Sequence, residues 1–171
     1  ELTSNTPVHL QSSRGTVVAR TLTGDQIRAD RFVVAAGAAT NEVVRGLGER
    51  LPLVAGKGYG FDLTNLSACS EPVYLSEAKV ALTPYQDGRL RVAGTMGINS
   101  SDGRVSVRRA NGILSALGEY LPELHDVPYP KPWTGVRSLT PDGLPLIGPL
   151  RRWPTVVVAA GHAMLGITLA P

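Results

Sequence analysis

An arginine at position 137 lies inside an apolar segment rich in glycine and proline, "KPWTGVRSLTPDG". A guanidinium in such surroundings is expected to be paired or to bind an anion, because charged side chains are rarely buried alone. Its planar fork matches a carboxylate with two parallel hydrogen bonds. A salt bridge from Arg137 to Asp142 or another acid would explain the same residue type equally well. The residues alone leave both interpretations open.

A second candidate is the segment 161–168, "GHAMLGIT", which follows an apolar run. The pattern predicts a strand, a glycine-flanked turn and the first turn of a helix. Gly161 and Gly166 would let the backbone approach a flat ligand closely, and the helix N-terminus would offer N–H groups to an anion. Thr168 could add a hydroxyl. Taken alone, the segment is better explained as a strand–turn–helix corner whose glycines only satisfy backbone torsion angles.

The composition excludes several other classes of chemistry. The 171 residues are 43% hydrophobic and 18% charged, which is typical of a folded domain. The net charge of +3 comes from scattered arginines and not from a basic run interleaved with aromatics, so we expect no nucleic acid partner. The single cysteine, Cys69, excludes a disulfide framework and a cysteine-cluster zinc site. We predict no metal site.

The two ends of the sequence are unusual. It begins without Met in strand-like residues, and it stops where a helix is predicted to begin. We therefore expect a fragment. No apolar run is long enough to span a membrane and no signal peptide is visible, so we expect no integral membrane segment. The expected location is the cytoplasm, with peripheral association at the inner membrane as the alternative.

The elements that must position the candidate residues are mostly strands. Strands are predicted at 8–11, 16–22 and 27–36, the last of which turns apolar as a buried parallel strand does. A short helix is predicted at 40–47, with Thr40 or Asn41 as its N-cap. A long strand at 51–63 and a hairpin at 78–97 follow, with "QDG" as the hairpin turn.

The strongest helix pattern lies at 106–121 and ends before Pro122. Its predicted apolar face consists of Val107, Ala110, Leu114, Leu117 and Leu121. A Pro-punctuated strand, a "TPDG" turn and short buried strands in "LPLIG" and "TVVVAAG" complete the chain. Because "RFVVAAG" and "TVVVAAG" resemble each other, both are candidates for one parallel sheet. The predicted fold class is α/β (mixed α+β), a partial parallel sheet with a separate antiparallel layer.

The block "WTGVRSLTPDGLPLIGP", followed after ten residues by "VAAGHAMLGITLAP", resembles the C-terminal signature of the D-amino acid oxidase superfamily of FAD-dependent oxidoreductases. Within that superfamily it is most similar to the D-amino acid dehydrogenases and their glycine oxidase relatives. "GKGYGF", "RLRVAGT" and "TPVHL…ADRFVVAAGAAT" extend the resemblance over nearly the whole chain. The family's GxGxxG turn for the FAD pyrophosphate is not found in this sequence. This supports a C-terminal fragment that binds FAD poorly by itself.

The resemblance implies three domain segments and a set of site residues. Residues 1–50 would end the FAD-binding domain, 51–138 would form the antiparallel substrate domain, and 139–171 would return to the FAD-binding domain. Arg137 would hold the substrate carboxylate, with Tyr59 beside it. His162 would shape the terminal loop rather than accept a proton. The implied cofactor-binding residues are Val8, Ala36, Gly37, Lys57, Gly161, His162, Ala163, Met164, Leu165, Gly166, Ile167 and Thr168.

These implied roles carry alternatives and departures from the family pattern. Lys57 could equally be an exposed lysine on a sheet strand. Family oxidases place a Tyr before the hairpin turn, but "KVALTP" has none and Tyr85 comes after it. No Cys lies near Arg137, so the resemblance implies non-covalent FAD.

The function implied by the resemblance is oxidative deamination of D-amino acids, by hydride transfer from Cα to flavin N5. The partners would be a small amino acid and an electron acceptor, which could be a quinone, a carrier or O₂. A glycine or sarcosine-type amine oxidase is one alternative. A non-catalytic binding module that lost its cofactor half is another.

Overall fold

The computed structural model describes residues 6–64, 69–98, 102–123 and 130–169. The chain divides into two compact units, Glu1–Ala55 with Arg137–Pro171 (unit 1) and Gly56–Val136 (unit 2). Few helices and several sheets make up the mixed α/β fold, as predicted. The strands are β1 (Val8–Ser13), β2 (Thr16–Thr21), β3 (Gln26–Ile27), β4 (Phe32–Val34), β5 (Val54–Thr64), β6 (Val73–Leu75), β7 (Val80–Pro84), β8 (Arg89–Ile98), β9 (Trp133–Leu139), β10 (Leu146–Pro149) and β11 (Val156–Ala160). The α-helices are α1 (Thr40–Val44) and α2 (Val107–Gly118).

Unit 1 contains two three-stranded sheets, β1-β2-β3 and β10-β11-β4. β1 and β2 form an antiparallel hairpin, and its turn residues Arg14 and Gly15 both have positive φ, as two-residue hairpin turns require. β4 pairs in parallel with β11, with Phe32 opposite Val156 and Val34 opposite Val158. The predicted parallel pairing of the two similar apolar segments is therefore confirmed.

The single strand predicted at 27–36 is wrong. It is two short strands in different sheets, because β3 pairs with β2 whereas β4 pairs with β11. The intervening Arg28–Arg31 region is exposed and polar. The predicted complete burial also fails, since Val33 is 72% exposed although Val34 is buried.

The short helix after β4 also differs from the prediction. A 3₁₀ turn, Gly37–Ala39, leads into α1, which ends at Val44. Neither Thr40 nor Asn41 is the N-cap, because Ala39 occupies that position without a side-chain hydrogen bond. The Asn41 amide instead donates to the Leu51 carbonyl and accepts from the Leu51 N–H. A long-range contact has thus replaced local capping.

Unit 2 is built on the sheet β6-β7-β8-β5-β9. β7 and β8 form the predicted hairpin, closed by Gly88 N–H donating to the Tyr85 carbonyl. One face of the sheet contributes Tyr59, Phe61 and Leu63 to a buried core shared with α2. A β-bulge interrupts the β5–β8 register between Gly58 and Tyr59. This leaves Thr95 as the unpaired residue of β8.

The predicted apolar face of α2 packs on the core except at one residue. Ala110 and Leu117 are buried, and Leu114 and Leu121 are partly buried against the same cluster. Val107, in the first helical turn, is 62% exposed, and Ile113 is buried although it was not predicted. Within the described ranges, no helix is long and apolar enough to cross a membrane.

Candidate functional site

The terminal loop of unit 1 starts from a glycine that no other residue could replace without strain. Gly161 follows β11, is buried and has φ +83°. A Cβ at this position would lie 2.7 Å from Thr140 Cγ2 and 3.3 Å from Leu53 Cδ2. Both the torsion angle and the surrounding contacts therefore require glycine.

The loop after Gly161 is fixed to β9 by its backbone. The Ala163 N–H donates to the Ser138 carbonyl at 3.0 Å, and the Leu165 N–H donates to the His162 carbonyl at 2.8 Å. A Cβ at Gly166 would lie 3.4 Å from the His162 Cβ, so the backbone of Gly166 passes directly over the base of the His162 side chain. The His162 ring forms no hydrogen bond with the described residues.

The predicted first helical turn is present as one turn in the described part of this segment. The Leu169 N–H donates to the Leu165 carbonyl at 2.8 Å, which is the i to i+4 bond of a helical turn. Among the described residues, the backbone N–H groups of Gly166, Ile167 and Thr168 have no acceptor. Met164 and Ile167 are 77% and 94% exposed. The loop thus presents three consecutive free donors next to apolar side chains.

Arg137 is half-buried on β9 and has no partner among the described residues. The alternative of a salt bridge to Asp142 is not realised, because the Asp142 carboxylate accepts the Leu144 N–H within the "TPDG" turn. Thr140 closes the same turn by donating its hydroxyl to the Leu144 carbonyl at 2.8 Å. Asp142 is the acid nearest to Arg137 in sequence, and its carboxylate is engaged within the turn. The Arg137 guanidinium is therefore free to bind an anion.

Ser138, the neighbour of Arg137, was not predicted. Its Oγ is buried without a hydrogen-bond partner among the described residues, while its carbonyl holds the terminal loop. A buried hydroxyl without a partner is uncommon and marks a position where a ligand could complete the hydrogen bonding. Its place in the apolar strand "WTGVRSL" was the only signal that the sequence offered.

The remaining predicted residues of unit 1 are Val8, Ala36 and Gly37. Val8 is half-buried at the start of β1, where it pairs with Thr21. Ala36 is exposed and precedes the 3₁₀ turn, and Gly37 has φ +54° with open space at its Cβ position. The backbone is accessible at the end of β4, which is where the resemblance implied a contact with FAD.

In unit 2, Lys57 is buried and fully engaged, so the alternative of an exposed lysine is wrong. Its Nζ forms an ion pair with the Asp102 carboxylate and donates to the Arg104 carbonyl at 2.9 Å. The hydrogen bond to Asp102 raises the pKa of Lys57 above its ordinary value, against the opposing effect of burial. Tyr59 is also buried, in the core beneath α2.

The opposite face of the unit 2 sheet carries a cluster that sequence reasoning missed. The Trp133 indole covers Gly60, where a Cβ would lie 2.6 Å from a ring carbon. Asp62 accepts two hydrogen bonds from Arg91, at 2.8 and 3.1 Å, and these lower the pKa of its carboxyl. Arg91 also stacks on Trp133 and donates to the Tyr85 hydroxyl, so Tyr85 belongs to the same cluster.

The cross-strand register places one further aromatic residue, Tyr74, on that face. Ala81 lies between Tyr74 on β6 and Ala93 on β8, and Ala93 pairs with Gly60. Tyr74 is 61% exposed. Among the described residues, no group of three or more His, Cys, Asp or Glu side chains is placed to hold a metal ion.

Residues 1–171 match the family model DAO, described as FAD dependent oxidoreductase. The chain belongs to this family. The matched relatives include a D-amino acid dehydrogenase of Methylobacterium nodulans, 35% identical over 86% of the chain and 35% of the relative. Another is a D-amino acid dehydrogenase of Vibrio vulnificus, 34% identical over 97% of the chain and 40% of the relative. The chain thus spans well under half the length of these relatives.

Solved structures agree with the family assignment. Glycine oxidase from Geobacillus kaustophilus has a TM-score of 0.84 at 26% identity, covering 96% of this chain and 44% of that one. L-proline dehydrogenase from P. horikoshii has a TM-score of 0.83 at 20% identity, which shows the fold alone. The family relationship makes FAD the expected cofactor. The free donors of the terminal loop and the unpaired Ser138 hydroxyl suit a hydrogen-bonding ring.

Proposed function

We propose that this chain is the C-terminal part of an FAD-dependent enzyme that oxidatively deaminates D-amino acids. Three findings support the proposal: the family assignment, the relatives named D-amino acid dehydrogenase and the free guanidinium of Arg137. Arg137 is the observation on which the proposal depends. It is half-buried, and the acid nearest to it in sequence, Asp142, bonds within its own turn. Its guanidinium therefore suits the carboxylate that all amino acid substrates share.

In this proposal Arg137 binds and orients the substrate. Two parallel hydrogen bonds from its guanidinium would fix the carboxylate, so that Cα is held in one position. No side-chain base is needed, since a neutral amine can lose a hydride from Cα as its nitrogen lone pair forms the C=N bond. The nitrogen then loses a proton to solvent, and water hydrolyses the imine to a 2-oxo acid and ammonia.

The terminal loop of unit 1 is proposed to hold the flavin non-covalently. The flavin would supply the hydride acceptor when bound. The N–H groups of Gly166, Ile167 and Thr168 would face the side of the ring where negative charge grows, which is the stabilisation that such donors give an oxyanion. Ala163, Met164 and Leu165 would line the approach. His162 would set the loop's position through its contact with Gly166.

The roles that we propose for the other predicted site residues are less closely defined. The backbones of Val8, Ala36 and Gly37 would contact the adenosine part of FAD. Lys57 would have to act on the flavin while keeping its bonds to Asp102 and Arg104, and Tyr59 would act from a buried position. We propose that 1–50 and 139–171 serve FAD binding and that 51–138 serve substrate binding.

The electron acceptor is proposed to be a quinone, a carrier or O₂. The proposed location is cytoplasmic, with peripheral association at the inner membrane as the alternative.

The deciding experiment measures the loss of flavin absorbance as the flavin of the full-length protein is reduced without oxygen. The substrates tested are D- and L-amino acids, glycine and sarcosine. We expect D-amino acids to bleach the flavin rapidly. Arg137→Ala should lower kcat/KM by about 10²- to 10³-fold, because an unpaired substrate carboxylate loses two charge-assisted hydrogen bonds. Arg137→Lys should recover only part of this loss, since it keeps the charge without the planar fork.

Arg151→Ala is the matched control, because Arg151 is an exposed arginine of the same unit with no partner among the described residues. It should leave kcat/KM unchanged. A flavin that D-amino acids reduce equally well in Arg137→Ala would overturn the assigned role of Arg137. A colourless full-length protein would support a binding module instead of an enzyme.

A glycine or sarcosine-type oxidase is the second candidate. It is favoured by the glycine oxidase structure, whose TM-score of 0.84 comes with 26% identity. Reduction by glycine or sarcosine alone would establish this second candidate and refute the first.

A further inference from the structure

A cavity of about 500 Å³ lies in unit 2 between α2 and the β7–β8 hairpin. Its lining includes two basic side chains, Lys79 and Arg109, and an apolar part formed by Val80, Met96 and Ile113. No aspartate or glutamate is among its lining residues. None of these residues belongs to the proposed flavin and carboxylate site, so the cavity has no role in the function proposed above.

Two of the lining residues have an unusual backbone. Lys79 has φ +56° and Thr95 has φ +47°, and neither is a glycine. Positive φ is a genuine outlier for a β-branched residue such as Thr95. Thr95 is the extra residue of the β-bulge on β8, where Met96 pairs with Gly58 and Gly94 with Tyr59. Strain of this kind persists where the surrounding structure enforces it, and it is common at binding sites.

Arg109 is anchored by Thr95, one of these two residues. Its Nη1 donates to the Thr95 hydroxyl at 3.0 Å and to the Met96 carbonyl at 3.4 Å, and its guanidinium lies 5.9 Å from the Tyr59 ring centre. The guanidinium also packs on the backbone of Gly97, where a Cβ would lie 3.6 Å from Nη2.

The remaining edge of Arg109 is free. Among the described residues, Nε and Nη2 have no hydrogen-bond partner, and the Lys79 ammonium has neither a hydrogen bond nor an ion pair. An Nε–Nη2 edge is one of the two geometries in which arginine binds a carboxylate through parallel hydrogen bonds. Anchoring Nη1 removes much of the rotamer freedom that such binding would otherwise cost.

We propose that this cavity is a second binding site, separate from the catalytic one, for a small organic carboxylate with an apolar body. The carboxylate would lie between the Nε–Nη2 edge of Arg109 and the Lys79 ammonium. The apolar body would pack on Met96, which is 45% exposed. The inference does not depend on the proposed amino acid oxidation.

The test is a titration of the full-length protein, labelled with ¹³C at the methionine methyl groups, with sodium 4-methylpentanoate. We expect the Met96 methyl signal, assigned with Met96→Leu, to shift saturably with a Kd on the order of 1 mM. Lys79→Gln should weaken binding at least fivefold. Acetate, which lacks the apolar body, should bind several-fold more weakly than 4-methylpentanoate.

Lys79→Gln is the deciding variant because the Lys79 ammonium makes no hydrogen bond or ion pair with the described residues that the fold would lose. Arg109→Gln should also weaken binding, but it removes the anchor of the bulge as well. Arg108→Gln is the matched control, since Arg108 is an exposed arginine of α2 outside the cavity lining. Equal weakening by Arg108→Gln, or no saturable shift at Met96, would overturn the proposal. Flavin reduction by amino acids tests the catalytic site independently.

Discussion

At the scale of single residues, the Asp62 carboxylate of unit 2 is held by ion pairs with Arg89 and Arg91. Its side chain is 27% exposed, and the fork of Arg91 binds both of its oxygens. The hydrogen bond from Arg91 is the main reason that the pKa of Asp62 lies below 3.8. Tyr85 and Trp133 lie about 5 Å from the same guanidinium and limit its motion.

Asp62→Asn should destabilise the protein by about 1–3 kcal/mol at pH 7, because charged hydrogen bonds of this kind are lost. A folded-state pKa below the unfolded value stabilises the protein above the unfolded pKa, and this contribution is lost as pH falls through the folded pKa. The difference in the free energy of unfolding between the wild-type protein and Asp62→Asn should therefore become smaller below pH 3.8. Urea unfolding at pH 7 and at steps below 3.8 measures this.

Asp87→Asn is the control for that prediction. The Asp87 side chain is 54% exposed in its pair with Arg89, so solvent should screen the interaction and the loss should be smaller. An equal loss of stability in Asp62→Asn and Asp87→Asn would contradict the stabilising role of the Asp62–Arg91 pair. So would a stability difference between wild type and Asp62→Asn that stays constant down to the lowest pH.

The sequence could name candidate site residues but not the partners of their side chains. The resemblance pointed to Arg137, yet the choice between a free guanidinium and a salt bridge depended on Asp142, whose carboxylate caps its own turn. Lys57 was left open between two roles. Its burial against Asp102 and Arg104 depends on residues 45 and 47 positions away, which local pattern does not reveal.

At the scale of elements, the sequence predicted where most strands form better than it predicted which sheet each strand joins. The apolar runs around Val33 and Val157 correctly predicted a parallel pair, and "QDG" predicted the hairpin. The split between β3 and β4 could not be read from the sequence, because it depends on which distant strand each one meets. The apolar face of α2 was predicted correctly except that Val107 is exposed and Ile113 is buried as well.

Gly161→Ala tests the turn that joins β11 to the terminal loop. We expect a loss of about 2–4 kcal/mol, because the change combines positive φ with a clash against Thr140 Cγ2. Gly143→Ala separates the two causes, since Gly143 has φ +76° but no atom near its Cβ position. It should cost only about 1 kcal/mol. Thermal unfolding of both variants measures the difference, and equal losses would refute the packing argument.

At the scale of the whole molecule, one face of the sheet β10-β11-β4 is covered and the other is open. Val34, Val156 and Val158 are buried, whereas Val33 and Ile147 are 72% and 69% exposed. Parallel strands are normally covered on both faces, and exposed apolar surface of this kind promotes association. The exposed face therefore should limit the solubility of this 171-residue chain.

Replacing Val33 and Ile147 together by Thr should reduce concentration-dependent self-association of the chain in sedimentation velocity. Stability should change by no more than about 0.5 kcal/mol per site, as for other exposed positions. Val156→Thr is the control, because Val156 is fully buried and an added hydroxyl there should destabilise the fold by about 1–3 kcal/mol. Unchanged self-association in the double variant would show that another surface is responsible.

The chain enters unit 2 along β5 and leaves it along β9, and these two strands are neighbours in the same sheet. Thr134 on β9 donates its hydroxyl to the Gly58 carbonyl on β5 at 2.9 Å, close to both crossing points. Unit 2 is therefore an insertion whose ends are already joined, so lengthening or shortening it adds little loop-closure entropy to the rest of the chain. Such an arrangement allows unit 2 to change in length during evolution while the strands of unit 1 keep their register.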